Sequence, residues 1–168
     1  AAGLAAVAAA LLKERSAGEE AAAALLSGLV AGWRRNPAAR PGADAIGGLL
    51  EAGFASGGSR GALESLRLAA LVGATLPAEA REIVGAAVTL LSDSKPGDAV
   101  DPIRDAVRIL ATVPGEGDDR LLLGLLAAGR PPEVQREVID ALAARRSPGM
   151  GGELVARWGV LDPSIRTD

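Results

Sequence analysis

The sequence predicts an all-α chain whose helices stack in successive pairs, and three observations carry that prediction. Apolar residues recur at helical spacing from end to end, and no segment shows the strict alternation of a half-buried strand. Short clusters rich in Pro, Gly and Ser interrupt the pattern at intervals suited to turns. One brief motif then returns at a fixed step in the C-terminal half. Composition agrees: 49% of the 168 residues are hydrophobic but only 2% are aromatic, so the core is built from Ala, Leu and Val, which suits closely packed helices.

Taken in order, the opening AAGLAAVAAALL predicts a helix over 1–15, and it lacks the basic leader of a signal peptide. Over 17–35, Leu25, Leu26, Leu29, Val30 and Trp33 share a face. Ser16 and Glu19 stand three apart before it, the spacing of a capping box in which a hydroxyl and a carboxylate satisfy free backbone N–H groups. Helices are predicted next over 43–56 and 60–75. Over 77–92, Ala80, Ile83, Val84, Ala87, Val88 and Leu91 form a stripe behind Pro77, whose missing N–H costs nothing in a first turn.

Two further helices follow over 102–113 and 117–129. Residues 132–146 gather Val134, Val138, Ile139 and Leu142 on one face, with Gln135, Arg136, Glu137 and Asp140 outside. Helices over 149–160 and from 163 bring the count to about ten. Between them lie RNPAARPGAD, SGGS, SDSKPGD, VPGEGDD, GRPP and RRSPG, which end helices because Pro fixes φ and Gly supplies positive φ. Gaps this short require antiparallel neighbours, within one domain spanning 1–168.

The repeat gives the order its meaning. Ile103–Arg104 follows Asp101–Pro102, Val134–Gln135 follows Pro131–Pro132, and Ile165–Arg166 follows Asp162–Pro163. The step is 31 residues from Arg104 to Gln135, and 31 again to Arg166. Val107 and Val138 stand three residues beyond the first two, and a looser copy lies upstream at Leu66–Arg67, with Ala70 three further on. A period of this size filled by two helices marks a helical-repeat solenoid.

In this pattern, Asp before Pro caps a helix N-terminus, the aliphatic residue enters the inter-repeat core, and the long polar residue lies across a neighbouring turn. The ladder Arg67, Arg104, Gln135, Arg166 is read as structural bridging between repeats, with side-chain stems packed on apolar surface, rather than as a ligand site. Gln at one rung favours that reading, because a charge-dependent site would lose more by the exchange. First helices beginning near 17, 60, 102, 132 and 163 leave 1–15 as a second helix without its partner and the last helix unfinished. The expectation is a segment of a longer polypeptide, whose uncapped ends would favour end-to-end self-association.

Other residue types narrow the chemistry. A net charge of −3 offers no general attraction to nucleic acid. The chain has neither Cys nor His, which removes thiolate nucleophiles, the commonest general base and the commonest metal ligands. No apolar run reaches the roughly 18 residues of a membrane span. Glu116, Asp118 and Asp119 fit no calcium loop and are read as capping a helix start. LLEAGFASGGSRG lacks the lysine and preceding strand of a phosphate loop, and is read as a helix end and turn.

Trp33, Trp158 and Phe54, the three aromatic residues, are expected in the core. Gly28, Gly73, Gly85 and Gly124 each weaken a helix interior by about 1 kcal/mol relative to Ala, with close helix–helix approach as the expected compensation.

The Pro-x-aliphatic-Arg/Gln openings resemble HEAT repeats, particularly the short bacterial form, most clearly from residue 98 onward. This resemblance implies a right-handed α-α superhelix of the HEAT-like or armadillo type. PPEVQREVIDALA and ARWGVLDPSIR are further similar to the HEAT-like region of large secreted planctomycete and verrucomicrobial proteins, through Pro132, Val134, Gln135, Leu142, Trp158, Leu161, Pro163 and Arg166. In that family the region lies between a propeller-type dehydrogenase-like domain and a C-terminal cytochrome c domain that binds haem covalently. No Cys-x-x-Cys-His occurs here, so the family's haem site has no counterpart.

The expectation for function is therefore a non-catalytic structural or protein-interaction solenoid, with no catalytic, cofactor-binding or metal residues. Arg67, Arg104, Gln135, Arg166, Pro102, Pro132, Pro163 and Trp158 are its structural positions. Its partners would be flanking domains of the same polypeptide or another protein, met on the second-helix face, with no nucleic acid and no membrane insertion. The family implies an extracytoplasmic setting. The alternatives are a free-standing cytoplasmic scaffold and, with less support, a HEAT-like enzyme acting on nucleic acid, which would need a basic cleft and exposed aromatics.

Overall fold

A computed structural model of the chain describes residues 2–13, 18–55, 58–113, 115 and 118–167. Among the described residues there are nine α-helices and no strand. They are α1 (Ala2–Lys13), α2 (Glu19–Arg35), α3 (Gly47–Ala55), α4 (Gly58–Val72), α5 (Ala78–Asp93), α6 (Val100–Thr112), α7 (Asp118–Gly124), α8 (Pro132–Arg145) and α9 (Met150–Ala156). Short 3₁₀ turns cover Pro37–Ala39, Ala43–Ile46 and Trp158–Val160. The chain forms two compact units, Ala1–Ile83 and Val84–Asp168, with the division falling inside α5.

In the first unit, each helix packs most extensively on the one after next: α2 on α4, and α1 on α3. α2 and α4 run parallel. The Glu19 carboxylate at the start of α2 lies against Gly58 at the start of α4, while Arg34 and Arg35 near the end of α2 share a groove with Arg67. Leu26, Ile46, Leu49, Leu68 and Ala69 are fully buried between these layers. Each such leucine contributes about 2 kcal/mol relative to an exposed one. α1 packs through the small residues Ala5 and Ala8 together with Leu12, and presents Leu4, Val7 and Leu11 to solvent.

The second unit repeats the arrangement with α6 on α8. Ile103, Val107 and Leu110 from α6, and Val134, Val138 and Leu142 from α8, are all buried. This pair is parallel too: Arg104, early in α6, reaches Glu137 in the first half of α8, which Arg108, one turn further along α6, also reaches. Arg145 at the end of α8 donates to the Leu110 carbonyl, toward the end of α6. Leu122, Leu125 and Leu126, from α7 and the turn after it, fill in beneath.

Several expectations need correction. α7 stops at Gly124 rather than 129, and the chain then turns through Leu125→Leu122 and Leu126→Leu123 backbone bonds. No helix starts at 163; residues 163–167 form turns among the described residues, so the count of ten is not reached. α6 begins at Val100 with Ala99 as its cap, so Asp101 lies inside the first turn and points to solvent instead of capping.

The helix predicted over 149–160 breaks at Ala156 into a 3₁₀ turn, which leaves Trp158 51% exposed instead of in the core. Trp33, by contrast, is 3% exposed, and Phe54 is half-buried against the core.

Ser16 and Glu116 lie outside the described residues. α2 is capped by Gly18 with no side-chain bond, so Glu19 occupies the first helical position and not the third that a capping box requires. The compensation expected for interior glycines is also absent. A Cβ at Gly28, Gly85 or Gly124 would meet nothing within 4 Å, and Gly73 is not interior at all. It follows α4 with φ +68°, and the Ala74 N–H donates to the Ala69 carbonyl at 3.0 Å, the bond of a glycine-terminated helix.

Candidate functional site

The repeat-motif residues each meet a different local partner. Pro132 opens α8 and Val134 enters the core, which places the next residue, Gln135, at the edge of the buried face. Expected on the outer face, it is instead 1% exposed. Its Nε2 donates to the Ala127 carbonyl at 3.1 Å, and its Oε1 accepts the Asp162 N–H at 2.8 Å. One amide thus joins a donor and an acceptor belonging to two backbone segments: it is the acceptor for the Asp162 N–H and a second donor, beside the Arg130 N–H, for the Ala127 carbonyl.

Arg104 is half-buried, and its Nε donates to Glu137 Oε2 at 3.3 Å. Arg67 lies in the other unit and pairs with Glu64 one turn earlier in its own helix. Arg166 is exposed near Asp162. The Ser164 hydroxyl and N–H both donate to the Asp162 carboxylate, which lowers its pKa, with a smaller contribution from the Arg166 charge. Pro102, third residue of α6, and Pro163, in the turn after Asp162, are exposed. Within the second unit, Arg104, Gln135 and Arg166 meet separate partners.

Two clusters of charge, one on Glu137 and one on Arg145, also link segments of the second unit. Glu137 accepts from Arg104 and, at 2.6 Å, from Arg108, which also pairs with Asp105. The Glu137 hydrogen bond, helped by the charges of Glu137 and Asp105, raises the Arg108 pKa against the opposing effect of burial. That guanidinium is a permanent cation.

The second group centres on Arg145, whose side chain is 6% exposed. It approaches Asp118 at 3.5 Å and Asp119 at 2.7 Å, and donates to the carbonyls of Leu110 and Gly115. Its Nε makes no well-directed hydrogen bond, so the contact with Asp119 is chiefly coulombic. Asp118 also accepts the Gly115 N–H at 2.6 Å. Asp118 and Asp119 stand in the first turn of α7, the helix start expected of them, and there they also serve as a counter-charge for Arg145.

A bridge of the same kind joins Arg130 to the carbonyl and hydroxyl of Ser94 at 2.6 and 3.1 Å. All of these contacts fix chain against chain.

Among the described residues, no three Asp or Glu side chains are grouped so as to hold a metal ion. No described helix is long and apolar enough to cross a membrane. Shallow open surfaces occur among the described residues. One follows the outer seam of α2 and α4, lined by Ser27, Val30, Ala31, Arg34, Arg35, Glu64 and Arg67, and continues past Glu20, Ala24 and Arg60. Another lies where α5 turns into α6, over Leu90, Asp93, Asp98, Pro102 and Ile103. In comparisons with family models, curated proteins and solved structures, nothing matches this chain.

Proposed function

We propose that the chain is a non-catalytic helical-repeat module, a spacer or docking element that holds other protein segments in place. The observation that carries this reading is Gln135, a polar residue of the repeat motif that joins two backbone segments inside the unit. Parallel packing of alternate helices in both units supports it, since a stack of helix pairs places like helices side by side. Arg108, Arg130 and Arg145 add to it, because their guanidiniums are engaged with the chain itself.

With the resemblance to secreted multidomain proteins, the setting we favour is between a dehydrogenase-like domain and a cytochrome c domain, outside the cytoplasm. The test is the parent reading frame, together with binding of this chain to its separately produced flanking segments. A propeller upstream, a Cys-x-x-Cys-His downstream and stable association would support the proposal. Turnover of any substrate that is lost on alanine replacement of one carboxylate would overturn it.

A further inference from the structure

The two parallel helix pairs treat their cations differently. In α6 and α8, the guanidiniums of Arg104 and Arg108 converge on one carboxylate, Glu137, which reaches across the seam. Among the described residues, no carboxylate of one helix pairs with a guanidinium of the other across the α2–α4 seam. Arg67 is held by Glu64 of its own helix, and Arg34 and Arg35 are exposed with no ion pair or hydrogen bond to a described side chain. Both stand in the last turn of α2, where the helix dipole favours positive charge, yet that effect leaves their donors open.

Charge and shape agree along this seam. Around the groove, Arg34, Arg35 and Arg67 against Glu64 make a local charge of +2, three minus one, on a chain whose net charge is −3. Its floor is small: Ala24, Ser27 and Ala31 are exposed on α2, so another backbone can approach closely between the longer side chains. The geometry points to a docking groove for an acidic peptide segment of a partner protein, one of whose carboxylates binds Arg34, Arg35 and Arg67 as Glu137 binds Arg104 and Arg108. Guanidiniums suit this role because their fork matches a carboxylate. The negative charge on the rest of the chain disfavours a nucleic acid as the occupant.

This inference rests on the interaction-module reading and names its surface. The test is isothermal titration calorimetry at low ionic strength with a peptide of alternating Glu and Ala. Saturable binding is expected, with shifts in the amide resonances of Ser27 and Ala31. Reversing both charges, Arg34→Glu with Arg35→Glu, should weaken binding by about tenfold or more, while the charge control Arg120→Glu on the other unit leaves it unchanged.

Circular dichroism matching the parent shows that each variant is folded, and Arg67→Ala provides a milder second variant that should also weaken binding. Absence of saturable binding, an equal loss in Arg120→Glu, or equally tight binding of single-stranded oligothymidylate would overturn the groove. Absent peptide binding alongside firm association with a flanking segment removes the groove and leaves the module. Carboxylate-dependent turnover removes the module.

Discussion

The amide of Gln135 accepts the Asp162 N–H at 2.8 Å while donating to the Ala127 carbonyl at 3.1 Å. Only a side chain with both a donor and an acceptor makes both bonds, which explains why this rung differs from Arg104 and Arg166. A guanidinium has no acceptor, and it would be buried here without a carboxylate. Gln135→Leu leaves the Asp162 N–H without its acceptor, at about 1–3 kcal/mol, and takes one of two donors from the Ala127 carbonyl, which also accepts the Arg130 N–H. Thermal denaturation should show both Gln135→Leu and Gln135→Arg melting well below the parent, and a parental Tm for the arginine variant would sink this account.

Arg145 is the second anchor of that unit. Replacing it with Met leaves Asp118, 7% exposed, without its cation, and the expected loss is about 3–5 kcal/mol. Adding Asp118→Asn to the same chain should recover part of the loss, because the stranded charge is then gone. Urea unfolding of the two variants measures the difference. Equal midpoints would show that Asp118 does not need Arg145.

Close approach occurs at Gly53, which the sequence reads only as part of a helix end and turn. A Cβ at Gly53 would strike the Ser65 hydroxyl and sit 3.2 Å from a Leu26 methyl. Gly53→Ala should therefore cost about 1–3 kcal/mol through overpacking. Ser65→Ala removes a buried hydroxyl that has no hydrogen-bond partner, so it should be neutral or stabilising, and should relieve part of the Gly53→Ala loss.

Gly85 gives the opposite sign. It is exposed inside α5 with open space around it, so Gly85→Ala should raise stability by about 0.5–1 kcal/mol. Gly73→Ala should lower stability, since φ at that position is +68°. A scanning calorimeter reads both changes.

Asp162 supplies a pH dependence. Its folded pKa lies below the ordinary carboxylate value, so the turn it holds contributes stability at neutral pH. That contribution falls away as pH drops through the unfolded and then the folded value. Carboxyl NMR titration of Ser164→Ala should move the Asp162 midpoint upward, and an unmoved midpoint would remove the Ser164 hydroxyl as its main cause.

The helices were legible wherever an apolar stripe ran for three or more turns, as in α2, α5 and α8. Boundaries were not legible where a turn relied on distant partners. The stretch after Gly124 keeps its apolar residues, Leu125 and Leu126, yet leaves the helix and places the Ala127 carbonyl against Gln135. Nothing local announces that change.

Gln135 itself sits among polar neighbours and reads as surface until Ala127 and Asp162 close over it. Arg145 and its aspartates are 26 and 27 residues apart, a separation that carries no helical signature. The repeat period marked the rungs, but not which of them would be buried or what each would bind.

The contrast between the two tryptophans supplies a built-in pair of reporters. Trp33, enclosed in the first unit, should emit at short wavelength and resist iodide, while Trp158, open in the second, should emit near the wavelength of free indole and be quenched. Single Trp→Phe variants would then follow the loosening of each unit by its own light, without any attached dye.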